Sequence, residues 1–155
     1  MRSADAVMTT DLEGAVRDWL TQFRSSVERA FGPDTTAGGY RTDVPSAGQC
    51  AAVAAVLNEQ IGGEFVSASV QGVSHWFNRI NFKGVFLDVD LTGDQFGLKP
   101  VQVSAAGGLY PDTRVRRPDE LNAETRRRAA LLASRSMISA VALPTAGPCG
   151  SSSAE

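Results

Sequence analysis

The stretch Ser46-Ala47-Gly48-Gln49-Cys50 decides the fold, because it starts a helix and sets one of the chain's two cysteines in that helix's first turn. Ser46 with Gln49 three residues on fits the capping-box pattern, in which each side chain accepts the free backbone N–H of the other residue. The pattern predicts a helix from about Ala47 to Gln60, stopped at Gly62-Gly63. Cys50 then sits at the helix's positive end, where the dipole favours anions. Val53, Ala54, Leu57 and Ile61 share its face, so a small buried packing residue is the competing reading of Cys50.

Toward the N-terminus, residues 1–9 read as a flexible leader. Thr10 and Glu13 form a second capping-box pattern, and Val16, Trp19, Leu20, Phe23, Val27 and Phe31 recur at helical spacing up to Gly32-Pro33. Residues 34–45 have turn composition and lead into the Cys50 helix. Toward the C-terminus the period becomes that of strands. Glu64 to Val70 forms a first strand, and Ser74 to Ile80 with Val85 to Leu91 forms a hairpin around Asn81-Phe82-Lys83-Gly84. With Phe82-Lys83 at the tip and no bulge, His75 lies opposite Asp90, and Trp76, Ile80, Val85, Leu87 and Val89 take the other face. Asp88 shares the face of Asp90 and is a rival partner for His75 or a mate for Arg79. Asn78 falls on the Trp76 side.

Residues 92–97 are turn-like, Lys99 to Ser104 is a short strand or an extended connection, and Gly107-Gly108 with Pro111 continues the loop. Asn122 caps a last helix from about Ala123 to Ser136, with Leu131 and Leu132 as its apolar contacts. The architecture expected is α+β: two helices packed on a small antiparallel sheet and a C-terminal helix closing the core. One domain spans 10–140, and the Gly-, Pro- and Ser-rich residues 141–155, with Cys149, read as a disordered tail.

The 155 residues suffice for an ordinary core, with 43% apolar and 21% charged residues and a net charge of −2. That balance argues against nucleic acid or anionic membranes as partners. Seven of the fifteen Lys and Arg residues fall in Arg114–Arg135, a basic strip read as a solvated face with nearby acids. The start of the chain has no apolar run of an export signal, so the expected location is cytoplasmic and Cys50 reduced, with a Cys50–Cys149 bridge as the alternative. A single histidine and no CxxC spacing predict no metal, and no cofactor motif is present.

Cys50, His75 and Asp90 follow one another as helix start, strand and next strand. A thiolate attacks a carbonyl, an imidazole keeps sulfur ionised and later protonates the leaving group, and a carboxylate sets the imidazole's tautomer. Gln49 either stabilises an oxyanion beside the Cys50 N–H or simply caps the helix. Trp76 reads as core packing and then as a wall of the site. The expected function is cysteine-dependent acyl chemistry on an amide or ester of a small molecule, peptide or protein: hydrolysis, deamidation or transfer. The alternative is a non-catalytic binding module. Oligomeric state is open.

The order of the three residues resembles papain-like and transglutaminase-like cysteine enzymes. His75-Trp76 followed by Asp90-Leu91-Thr92 is similar to the His-x-Trp … Asp-Pro-Thr signature of the transglutaminase-like branch, with tryptophan one residue early and leucine for proline. A further resemblance covers most of residues 45–135. Pro45-Ser46-x-Gly48-Gln49-Cys50, Gly62-Gly63-Glu64, His75-Trp76-x-Asn78, Asp90-Leu91-Thr92 … Gln95-Phe96, Thr125-Arg126 and Leu131-Leu132 resemble the YunG-like family of small bacterial proteins. The resemblance implies Cys50, His75 and Asp90 as the site, with Gln49, Asn78 and Gln95 as secondary residues.

Overall fold

A computed structural model describes residues 2–136. Cys149 and the tail expected over residues 141–155 lie outside the described residues. Among the described residues, three α-helices and one five-stranded antiparallel sheet make an α+β fold. Helix α1 spans Arg2–Glu28, so it starts before Thr10 and takes in the stretch expected as a leader. No proline or glycine interrupts residues 2–12, and Ala4, Ala6 and Met8 are good helix formers, so nothing local stops the helix at Thr10. Val16, Leu20, Phe23 and Val27 form its buried stripe. On the same helix, Arg24 donates to the Leu91 carbonyl at 2.7 Å and to Asp94 at 2.9 Å. These bonds tie α1 to the turn that follows the middle of the sheet.

Helix α2 spans Cys50–Ile61 and ends on Gly62, whose N–H donates to the Asn58 carbonyl. Its start differs from the capping-box expectation. Gln49 precedes the first helical residue and no side chain caps the helix; Ser46 instead opens a turn in which its carbonyl accepts the Gln49 N–H at 3.1 Å. Gly48 explains the difference. Its φ of +82° turns the backbone, and a Cβ there would lie 2.6 Å from the Ala37 carbonyl oxygen. The helix therefore cannot begin until that turn is complete, which leaves Cys50 as its first residue.

Strands β1 (Glu64–Val70), β2 (Val73–Phe82), β3 (Val85–Asp90), β4 (Gln102–Ala105) and β5 (Arg114–Arg116) lie in the order β4-β3-β2-β1-β5. The β2–β3 hairpin turns at Lys83-Gly84, with φ of +55° and +83°, so that Phe82 faces Val85 and Asn78 faces Val89. Positive φ at both central residues suits the right-handed twist of the strands, and Gly84 supplies the second at no steric cost. Compared with a tip at Phe82-Lys83, the register is offset by two residues. A two-residue offset keeps every side chain on its expected face, whereas a one-residue slip would have inverted the hairpin. Ile80, Phe82, Leu87, Val89 and Val103 face the helices and join their core. Helix α3 (Ala123–Ser136) closes that core with the fully buried Leu132, and Asn122 Oδ1 accepts the Thr125 N–H at 2.8 Å as expected of its cap. No helix among the described residues is long and apolar enough to cross a membrane.

Candidate functional site

His75, the chain's one histidine, stands near the start of β2 with Phe77 on the same face, opposite to that of α2. Its imidazole is fully buried. Phe96 meets the ring edge-on at a centroid distance of 4.9 Å, Tyr110 does so at 5.6 Å, and Phe77 stacks at 6.0 Å. Aromatic edges and faces leave the ring little freedom to rotate.

Asp90 ends β3. The observed register makes His75 and Asp90 diagonal neighbours rather than directly opposed residues, still within side-chain reach, and His75 Nε2 lies 2.9 Å from Asp90 Oδ2. The carboxylate is 1% exposed and well supplied with donors. Oδ2 also accepts the Tyr110 hydroxyl at 2.5 Å and Gln102 Nε2 at 3.4 Å, while Oδ1 accepts the Thr92 N–H at 3.1 Å. Gln102 in turn donates to the Tyr110 oxygen at 2.9 Å. Burial and the Asp90 carboxylate push the Tyr110 phenol well above its ordinary value, so it stays protonated as a donor. Neither Gln102 nor Tyr110 was foreseen. Both come from regions with weak periodicity: Gln102 meets Asp90 through the pairing of β4 with β3, and Tyr110 reaches it from the loop after β4.

Strand β3 pairs with β2 only as far as Asn78↔Val89, so β2 beside His75 has no ladder partner on that flank. Cys50 is half-buried and has a free thiol. Burial pulls the imidazole of His75 down, but Asp90 and then Cys50 outweigh it and bring His75 up to about 9. Nε2 is taken by Asp90, and Nδ1 has no hydrogen-bond partner among the described residues. A folded value above the unfolded ~6.5 means that the imidazolium stabilises the fold fully below pH ~6.5, and that this stability is lost as pH rises through about 9.

The other candidates divide. Asp88 is not a partner of His75: Arg79 donates to it twice, at 2.6 and 3.1 Å, and the Gly107 N–H adds a third bond at 2.8 Å. Asn78 points to the helix face and donates to the Ala54 carbonyl at 3.0 Å, fixing α2 on the sheet. Trp76 packs on Phe65 and against the small residues Ala51, Ala54 and Ala55 of α2, with the Arg116 guanidinium 5.6 Å from its ring centroid. Gln95 donates to the Thr92 carbonyl at 3.1 Å within the turn after Asp90. Gln49 is fully buried next to Cys50; its Nε2 donates to Thr36 Oγ1 at 2.7 Å and its Oε1 has no partner among the described residues. With the capping role gone, Gln49 instead anchors the helix start to the 32–37 loop.

No curated protein and no solved structure matches this sequence. The family model described as YunG protein matches residues 19–140, well over half of the 155-residue chain. The match takes in Cys50, His75, Asp90 and the residues around them, and the chain belongs to the YunG family.

Proposed function

We propose that the protein performs cysteine-dependent acyl chemistry on an amide or ester, with Cys50 as nucleophile, His75 as acid and base, and Asp90 as the carboxylate that orients His75. The observation that supports this reading is the way His75 is held: Nε2 bonded to Asp90, and a buried, unpartnered Nδ1 in an imidazole that Asp90 and Cys50 make more basic. It is the division of labour of the papain-like and transglutaminase-like enzymes. The half-exposure of Cys50, against the full burial of His75 and Asp90, leaves the sulfur as the member a substrate can reach.

In the first step the Cys50 sulfur, its proton already resting on His75, adds to the substrate carbonyl as a thiolate. The tetrahedral oxyanion is met by the N–H of Cys50, one of the donors that the first helical turn leaves unpaired. Collapse breaks the bond to the amine or alcohol, which leaves with the proton from His75, and a thioester remains on Cys50. Water, or an acceptor amine in transfer, then gives its proton to His75 and releases the acyl group, which leaves the sulfur free and His75 protonated as at the start. Asp90 holds the imidazole through Nε2 and balances its charge in both steps.

The test is labelling by an acyl-type thiol electrophile followed by intact mass. In a Cys149→Ser background the protein takes one label at Cys50, and the further change Cys50→Ala leaves none. Equal labelling of the mutant would overturn the reading and leave a non-catalytic binding module.

A further inference from the structure

The sheet face that carries α2 is not covered to its end. Helix α2 begins at Cys50 and sets Ala51, Ala54 and Ala55 against Trp76 and Phe65. Past that start, toward the β1–β2 turn, the same face presents Ser69 and Ser74, which are cross-strand partners and both exposed. Arg114 on β5 is the register partner of Ser67 and so lies on this face too. Ser69, Gly72, Ser74, Asp112, Arg114 and Arg116 are among the residues that line a groove of about 390 Å³. Arg114, Ser67 and Trp76 are level across the three strands, and Trp76 packs on the same cluster as Ala51, so the groove lies on the helix side of the sheet near the start of α2.

Arg114 differs from the other arginines of the basic strip. Arg116, Arg117, Arg127 and Arg135 pair with Glu120, Asp119, Glu124 and Asp34. Arg126 donates to the Pro118 carbonyl and Arg128 to the Thr125 hydroxyl. Arg114 alone of the seven has no ion pair or hydrogen bond among the described residues, and it is exposed in the groove. Each of the other six is engaged in an ion pair or a hydrogen bond, and the guanidinium is left open here. A guanidinium flanked by serine hydroxyls matches a carboxylate, which accepts two parallel N–H bonds from the fork. Asp112 lines the same groove and opposes an anion, so the positive field is local to Arg114.

We infer that this groove binds an extended peptide-type acyl substrate and that Arg114 receives an acidic side chain of it. β5 stands two strand spacings from β2, which sets Arg114 about 10 Å from the strand of His75, or about three residues along an extended chain. The inference rests on the proposed acyl chemistry at Cys50 and adds the substrate class.

The experiment uses two peptidyl acyloxymethyl ketones that differ only in Glu or Gln at the third residue from the electrophile. The Cys50 thiolate displaces the acyloxy group as a carboxylate and forms a thioether, read by mass. Labelling of the native protein is about tenfold faster with the Glu probe, the size of one charge-assisted contact. Arg114→Gln brings the ratio to about one, Arg114→Lys keeps part of it, and Asp112→Asn raises it. Equal rates for the two probes, or a preference that survives Arg114→Gln, would overturn the inference while the nucleophile stands. A second arm measures calorimetric binding of the matching Glu and Gln N-acetyl peptide amides to Cys50→Ala. If neither probe labels but the Glu peptide binds and Arg114→Gln abolishes that binding, the groove assignment holds and the nucleophile assignment falls. No preference for the Glu peptide in that arm counts against the groove.

Discussion

Asp88 and Asp90 stand two residues apart on one face of β3, and both are buried, at 0% and 1% exposure. Their surroundings separate them. Asp88 is closed in an ion pair with Arg79 and a bond from Gly107, a charge matched by a permanent counter-charge. Asp90 is held by donors that are neutral at rest, Tyr110, Gln102 and the Thr92 backbone, together with one group that can change its charge, His75. The first arrangement is structural: Arg79 never releases its proton, so the pair does the same thing at every pH of interest. The second is tied to a group that titrates, because a proton gained or lost on His75 is felt by Asp90 through Nε2. Two like residues on one strand thus come to differ through their partners alone.

Breaking the structural side should have the largest effect on the fold. Arg79→Ala leaves Asp88 buried without its counter-charge and should cost about 3–5 kcal/mol, read as a lower midpoint in urea unfolding. Loss of under 1 kcal/mol would mean that Asp88 is not held as described. On the other side, Asp90→Asn keeps the shape but removes the charge that orients and supports the imidazole. Labelling of Cys50 by the acyl electrophile should slow by about a hundredfold, with unfolding changed far less than in Arg79→Ala. An undiminished rate would put Asp90 in the same structural class as Asp88. The smallest change is Tyr110→Phe, which deletes one hydrogen bond to Asp90 and should cost about 1–2 kcal/mol of stability with a severalfold slower reaction.

Much of this was legible in the chain. Glu64–Val70 is a strand at its expected limits, and Asn122 caps α3 where a polar side chain precedes a helical run. His75 and Asp90 could be matched from the hairpin because side-chain alternation survives a two-residue error in register. The helix start was misread for a physical reason. Ser-x-x-Gln is compatible with a capping box and with a tight turn, and Gly48, which packs against Ala37, selects the turn through a contact eleven residues away. Gln102 and Tyr110 were invisible for a similar reason: Gln102 meets Asp90 through the pairing of β4 with β3, Tyr110 reaches it from the loop after β4, and nothing in their local pattern marks them. The β5 strand Arg114–Arg116 was also missed, since two charged residues in three hide its extended backbone.

Because His75 is the chain's sole histidine, one proton NMR resonance reports on the centre of the account. Titration of its imidazole in the native protein should give a midpoint near 9. Both Asp90→Asn and Cys50→Ala should move the midpoint downward, Asp90→Asn by more, since each group supports the imidazolium. A native midpoint near the ordinary ~6.5, or one that neither substitution moves, would contradict the claim that Cys50, His75 and Asp90 act as a unit.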